Sequence, residues 1–445
     1  MVMRMMNKDG VAEKYRTLEE RRELGRGQRK VVRRVDQGKW DGTLRHGADP
    51  LELLAESMQG RVPALVEEKY RRMVASPFGF FRGAVPVMAA DLAGLPRTGI
   101  FCQLCGDAHV RNLGAYAGVD GRLVFDINDF DETLRGPFEW DLKRIATSFM
   151  LAGQEAGSKA SVCESAVAAF AECYREKMDE FAKMPNLDVA RWQVHRLNEV
   201  KPVSTALMKA QRATALDSLK QLTHVVKAGG KSVRRFRKQA DVSLLSAAVR
   251  DAVITSLMEY RETLLPERRH LLDQYKAMDA AFKVVGTGSV GLRDYVVYLE
   301  GNGERDPLFL QVKEETASGY TKYLGDAGCG HNGRRVAEGQ RAMQLQSDPF
   351  LGWTNIDGRD YLVRQLNDHK ASIDVAAMHG DGLREYAVVC AELLARGHAR
   401  SGDAGVISGY LGNGNKFDEA LMKFAEAYAE QTVSDWKQLC AARKK

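Results

Sequence analysis

GDAHVRNLGAYAGVDGRLVFDINDFDE, residues 106–132, concentrates most of the chemistry legible in this chain. It follows the strand-like IFCQL (100–104), and the segment 99–131 reads as strand, loop, strand, loop, with short apolar runs broken by Gly, Asp and Asn. Asp107 and Asn112 stand five positions apart on the first loop. Twelve residues beyond Asn112, VFDINDFDE sets Asp126, Asp129, Asp131 and Glu132 within seven positions at the end of an apolar strand. Four such acids repel one another, and their hard carboxylate oxygens suit a cation such as magnesium.

An aspartate and an asparagine at this spacing suit phosphoryl transfer. The aspartate accepts the proton of an attacking hydroxyl, and the asparagine oxygen holds magnesium beside the phosphates. GDAHVRN resembles the H-G-D-x-H-x-x-N catalytic loop of aminoglycoside and choline kinases. Cys105 stands where that family has histidine, so whatever the histidine supports must come from elsewhere. Asp129-Phe130-Asp131 resembles the D-F-G or D-F-D/E magnesium loop of kinases. Asp126 fits the usual separation from the asparagine slightly better, Asp129 fits the D-F signature better, and Asp129 is favoured; the expected metal set is Asn112, Asp126, Asp129 and Asp131. PFEWDLKRIA (137–146) resembles the small-molecule-kinase segment in which an aspartate at a helix start, here Asp141, braces the catalytic loop through backbone N–H groups.

Far downstream, Gly286-Thr287-Gly288-Ser289-Val290-Gly291 lies between apolar strand residues. LRDYVVYLEG continues as a strand, so the motif has the strand-loop-strand form that covers ATP phosphates in kinases and not the strand-to-helix form of a dinucleotide fold. Leu310-Gln311-Val312-Lys313 resembles the V-A-I-K strand whose lysine pairs with nucleotide phosphates, and the helical RRVAEGQRAMQ offers Glu338 as that lysine's ion-pair partner. The resemblance thus assigns Gly286, Gly288, Ser289, Gly291, Lys313 and Glu338 to ATP, and Asp107, Asn112 and Asp129 to catalysis.

In kinases the glycine loop precedes the catalytic loop; here it follows. RDYLVRQL then resembles the strand into the hinge, and LLARGHARSGD the helix that leads into the catalytic loop, so a circular permutation restores the usual order. The expectation is an α+β, protein-kinase-like two-lobed fold with circularly permuted lobe order: a charged arm and first helix (1–60), a helical lobe with both acidic loops (61–280), a small β-rich nucleotide-binding lobe (281–375), and C-terminal helices completing the helical lobe (376–445). The chain also resembles the bacterial domain-of-unknown-function family 2252 through RVPALVEEKYRRMVASPFGFFRGAVPVMAADLAG, LCGDAHVRN, FDINDFDETLRGPFEWDLKRIATS, VVGTGSVGLRDYVV, LFLQVKE, EGQRAMQ and RDYLVRQLND. That family supplies no established reaction, so activity must be argued from the site.

Composition is that of an ordinary globular chain: 445 residues, 44% hydrophobic and 28% charged. No stretch is apolar for long enough to span a bilayer. A net charge of +6 favours acidic ligands weakly and does not suggest a dedicated nucleic-acid binder. MVMRMMNKDG lacks the apolar core of a signal peptide and the seven cysteines are scattered, which suits a cytoplasmic protein. Residues 1–45 read as a solvated arm, 50–74 as an amphipathic helix, and 138–265 as mostly helical. Cys102 and Cys105 lack a second pair at zinc spacing and read as structural. Arg82, in the aromatic SPFGFFRG turn, either packs on neighbouring rings or offers its planar fork to an acidic substrate or phosphate. The partners expected are ATP, Mg2+ and an unknown phosphate acceptor. Two rivals stay open: a metal-dependent phosphoesterase using Asp107 and His109 with Asp126 and Asp129, and a pseudokinase-type nucleotide-binding scaffold.

Overall fold

The computed structural model describes residues 15–45, 49–194, 197, 199–212, 214–283, 290–326, 328–366, 371–374, 378 and 381–444. Its architecture is mixed α and β. The helical part is built around Phe138–Glu155, a helix buried along nearly its whole length although it carries Glu139, Asp141, Lys143 and Arg144. Helices Ala160–Lys183, Gly382–Ser401 and Lys416–Ala442 pack around it, sharing one apolar core that includes Phe149, Phe170, Leu394 and Phe424.

Four short strands carry the acidic loops: β1 (Phe101–Leu104), β2 (Leu113–Ala117), β3 (Leu123–Ile127) and β4 (Leu134–Pro137). β2 and β3 form an antiparallel hairpin, and β1 pairs with β4 with Leu104 opposite Leu134. The loop leaving β1 and the loop entering β4 therefore emerge side by side. The Thr133 hydroxyl donates to the Leu104 carbonyl, fastening them together.

A hairpin, β5 (Thr223–Ala228) and β6 (Lys231–Phe236), precedes the large sheet of β7 (Val242–Leu244), β8 (Lys276–Lys283), β9 (Asp294–Glu300), β10 (Pro307–Glu314), β11 (Gly352–Ile356) and β12 (Arg359–Gln365). A two-residue β13 (Ala371–Ser372) joins β2. The large sheet is antiparallel throughout, in the order β11-β12-β10-β9-β8-β7. Side chains alternate faces along a strand. Leu308, Leu310 and Val312 pack with Val253, Leu257 and Tyr260 of the helix Ala247–Glu262, while Phe309 faces the other way with Phe236 and Tyr298. Lys313 shares the Phe309 parity, which turns it away from the helix Ala247–Glu262.

Three expectations need correction. The helical reading of 138–265 misses β5, β6 and β7, whose Val225, Val226, Val233 and Val242 favour strands; the elements from about residue 215 pack with the sheet rather than with the helical core. The arm is not simply solvated: Leu18–Gln28 is a helix packed on Ala404–Leu411. It has few apolar anchors because the approach is backbone to backbone, and a Cβ on Gly25 would meet the Val406 carbonyl at 2.0 Å and one on Gly409 the Arg22 carbonyl at 2.2 Å. Finally, 50–74 is two helices, Pro50–Ser57 and Pro63–Val74, each opening with proline as suits a first helical position. Between them Gly60 takes φ +75°, and the break presents Arg61.

Candidate active site

Asp141 holds the first acidic loop. Both its carboxylate oxygens accept backbone N–H groups, from Cys105 at 2.8 Å and Gly106 at 3.1 Å. Behind it, His398 Nε2 lies 3.3 Å away, and the Tyr174 hydroxyl sits 2.7 Å from His398 Nδ1. A histidine from the helix Gly382–Ser401 thus stands beside the aspartate that braces the loop, while Cys105 occupies the loop position itself. Gly106 is required here: its φ is +84°, and a Cβ would lie 2.1 Å from the Glu132 carbonyl. The two acidic loops touch at that point.

Asp107 is half-buried and is gripped by the fully buried Arg144, whose Nε lies 2.7 Å from Oδ1. Arg144 also donates to the Phe81 carbonyl at 3.0 Å and covers the Phe81 ring. Burial pushes the Asp107 carboxyl up to about 6 although Arg144 opposes it; Asp129 and Glu132 nearby add to the rise. That value suits a group that accepts a proton near neutrality. His109 Nε2 lies 3.6 Å from Asp107, and burial, with Arg82 and Arg144 adding, keeps the imidazole neutral. Asn112 donates its side-chain N–H to the Asp107 carbonyl at 2.6 Å, leaving its amide oxygen as the open acceptor.

Lys313 reaches from β10 to the second loop and forms a buried ion pair with Asp131. Glu315 Oε1 lies 3.8 Å from the same ammonium. Burial opposes charge on both partners, yet the pair holds Asp131 below the usual carboxylate range and Lys313 above the usual ammonium range. Among the described residues, Asp131 Oδ1 and Glu315 Oε1 are buried without a hydrogen-bond partner. A cavity of about 420 Å³ opens here, and its lining includes the acids Asp107, Asp129, Asp131, Glu132 and Glu315, Asn112, and the cations Arg61, Lys69 and Arg82.

The structure therefore brings Asp107, Asn112, Asp129, Asp131 and Lys313 together. Asp126 is elsewhere: it lies inside β3, wholly buried, with its carboxylate held by Arg396 Nη2 at 2.5 and 2.6 Å. As a metal ligand it is corrected to a structural ion pair, because the strand turns it to the helix Gly382–Ser401 and away from the cavity. Glu338 is also corrected. It is exposed and pairs with Arg334 at 2.7 Å, while the same helix, Asn332–Met343, turns Arg335 inward to donate to the Asp131, Thr133 and Thr316 carbonyls. Gly286, Gly288 and Ser289 lie outside the described residues. Gly291, at φ +94°, accepts from Val62 N–H at 2.6 Å.

Arg144, Glu315, Lys69 and Arg61 were not singled out from sequence. Arg144 alone carried a signal, standing one helical turn beyond Asp141 on the same face. The oxygen donors of Asp129, Asn112 and the unpartnered Asp131 Oδ1 fit a hard cation. Among the described residues, no three His, Cys, Asp or Glu side chains form a ready metal-binding group.

The model of a family described as an uncharacterized protein conserved in bacteria (DUF2252) matches residues 61–442, and the chain belongs to that family. No curated protein and no solved structure matches it. Among the described residues, no helix is long and apolar enough to cross a membrane.

Proposed function

We propose that this DUF2252 chain is an ATP-dependent phosphotransferase with a protein-kinase-like, circularly permuted arrangement, acting on a hydroxyl acceptor. The observation that carries the reading is the ion pair of Lys313 with Asp131 across 182 positions of sequence, at a cavity that Asp107, Asn112, Asp129 and Asp131 line together. The permuted order draws support from the end of the helix Gly382–Ser401. Gln103 N–H in β1 donates to Ser401 Oγ at 3.2 Å, so that helix abuts the strand leading into the Asp107 loop.

In this reading Asp107 takes the acceptor's proton as the acceptor oxygen bonds to the γ-phosphorus; the bond to the β-bridging oxygen breaks and ADP leaves. Arg144 fixes the Asp107 carboxylate, and Asp141 fixes the loop that presents it. Asn112, Asp129 and the free Asp131 oxygen would hold magnesium, which supplies charge neutralisation at the phosphates. Lys313 supplies a buried cation on the sheet side.

A phosphoesterase draws less support, because it needs several protein ligands on one metal and Asp126 is committed to Arg396. The test is titration of the full chain with ATP in the presence and absence of magnesium, followed by a screen of hydroxyl compounds for ADP release. Magnesium-dependent binding with turnover is expected; binding without any turnover would favour the nucleotide-binding scaffold, and no binding would end the proposal.

A further inference from the structure

We propose that Arg82 is a further catalytic residue, donating from its guanidinium to the non-bridging oxygens of the phosphoryl group as it passes from ATP to the acceptor; the inference rests on the phosphotransferase reading and adds a residue to that same site. Arg82 lines the cavity together with Asp107, Asn112 and Asp129. Its Nε is buried with no hydrogen-bond partner. Among the described residues, no carboxylate stands within ion-pair distance of that guanidinium and no aromatic ring lies beneath it.

The backbone that carries Arg82 is fixed with respect to Asp107. It belongs to the helix Pro77–Gly83, whose first turn is closed by Ser76 Oγ accepting from Gly79 N–H at 2.9 Å. Phe78, Phe80 and Phe81 of that helix are buried, and a Cβ on Gly83 would meet the Met73 side chain at 2.7 Å, so the helix sits close against Pro63–Val74. Arg144 then ties it to the base: the same guanidinium donates to the Phe81 carbonyl at 3.0 Å and to Asp107 Oδ1 at 2.7 Å. A donor held in place beforehand needs no reorganisation as charge develops, which is what makes it effective in transfer. Arg61, in the same cavity, is committed differently, donating to the Ser57 carbonyl at 2.9 Å and the Val290 carbonyl at 2.7 Å.

An arginine kept for packing or for a structural ion pair would stack on a ring or grip an acid, as Arg144 does both. Arg82 does neither. Burial works against its charge, Asp107 favours it most, and Asp129 and Glu155 add to that while Arg111 opposes. In the phosphotransferase reading the first two acids mark the ends of the reaction, Asp107 the acceptor hydroxyl and Asp129 the magnesium at the phosphates. A cation that feels both lies where the phosphoryl group passes. In a loose transition state the charge is spread over the non-bridging oxygens, and the planar fork of a guanidinium matches two of them. As the acceptor oxygen bonds to the γ-phosphorus, the β-bridging oxygen leaves on ADP with the bonding pair and the acceptor's proton goes to Asp107; Arg82 stays protonated throughout.

The experiment is calorimetric titration of the full chain with magnesium-ATP, with magnesium-ADP, and with magnesium-ADP plus aluminium fluoride, which imitates the phosphoryl group in transit. It is run on the wild type, Arg82→Gln and Arg82→Lys, and paired with ADP release to water or to any acceptor found in the hydroxyl screen. The wild type is expected to bind ADP roughly tenfold or more tighter when aluminium fluoride is present. Arg82→Gln is expected to lose that gain and about 10²-fold or more in turnover, with magnesium-ATP affinity within about threefold. Arg82→Lys keeps the charge without the fork and should fall between the two; it carries the test if thermal melting shows that Arg82→Gln does not fold. An unchanged aluminium fluoride gain in the variants overturns the role of Arg82 and leaves the phosphotransferase reading standing. An equal loss of magnesium-ATP affinity overturns it too, by making Arg82 a contact of the resting nucleotide. A wild type that binds no magnesium-ATP overturns the phosphotransferase reading and the role of Arg82 with it.

Discussion

Lys313 and Asp131 form a buried ion pair that joins the large sheet to the second acidic loop. Removing one partner leaves the other charge buried and unpaired, which typically costs about 3–5 kcal/mol. Lys313→Ala is therefore expected to lower the urea midpoint and to weaken magnesium-ATP binding by roughly tenfold or more, about 1.4 kcal/mol. Lys322 is the comparison: it stands at the rim of the same cavity but is 61% exposed and pairs with the exposed Glu56, where such a bridge contributes about 0–1 kcal/mol. Equal effects of Lys313→Ala and Lys322→Ala on ATP affinity would count against the assignment.

Both acidic loops and the lysine strand were legible because each sits in a short local pattern: turn residues around Asp107, acids after an apolar run, a lysine ending a β-branched strand. The orientation of the helix Asn332–Met343 was not, and the Glu338 it was expected to give Lys313 faces away. Within RRVAEGQRAMQ the inward face is set by a close approach, since a Cβ on Gly339 would meet the Thr133 side chain at 2.5 Å. That contact goes with Arg335 turned to the loop, Gln340 buried, and Glu338 left at the surface. Likewise, the local signals in FDINDFDE pull two ways, spacing from Asn112 toward Asp126 and the D-F pair toward Asp129, so both stand in the expected metal set. The distinction comes from Arg396, 270 positions away, which claims the strand aspartate and leaves the one after it at the cavity.

Asp126 and Arg396 are 0% and 2% exposed, so this pair is expected to act on stability and not on metal binding. Arg396→Met should cost about 3–5 kcal/mol by stranding a buried carboxylate, measured by urea denaturation. Asp126→Asn should leave the magnesium dependence of ATP binding unchanged. A variant at Asp126 that folds normally but loses that dependence would restore it as a ligand.

Asp107 and Asp129 are expected to fail differently. Losing a general base costs on the order of 10²–10⁴ in rate while the nucleotide's own contacts stay in place, so Asp107→Asn should bind magnesium-ATP and turn over poorly. Asp129→Asn removes an oxygen donor for the ion and should weaken magnesium-dependent binding as well as transfer. Calorimetry with and without magnesium, paired with an ADP-release assay, separates the two. Full turnover in Asp107→Asn, or unchanged magnesium dependence in Asp129→Asn, would rule out this division of labour.

The pH profile follows from the position of Asp107. Burial raises its carboxyl to about 6 and Arg144 opposes that rise. A base works only when ionised, so turnover should be low below pH 6, climb through it, and level off above. Replacing Arg144 with methionine removes the opposing cation and leaves burial, Asp129 and Glu132 to act alone; the ascending limb should then move to higher pH. The same change strands a half-buried carboxylate, so protein that remains folded must be confirmed by circular dichroism before the rates are read. An ascending limb that stays near pH 6 in Arg144→Met, with the fold intact, would show that the titrating group is not Asp107, because no other acid in the cavity is held by that guanidinium among the described residues.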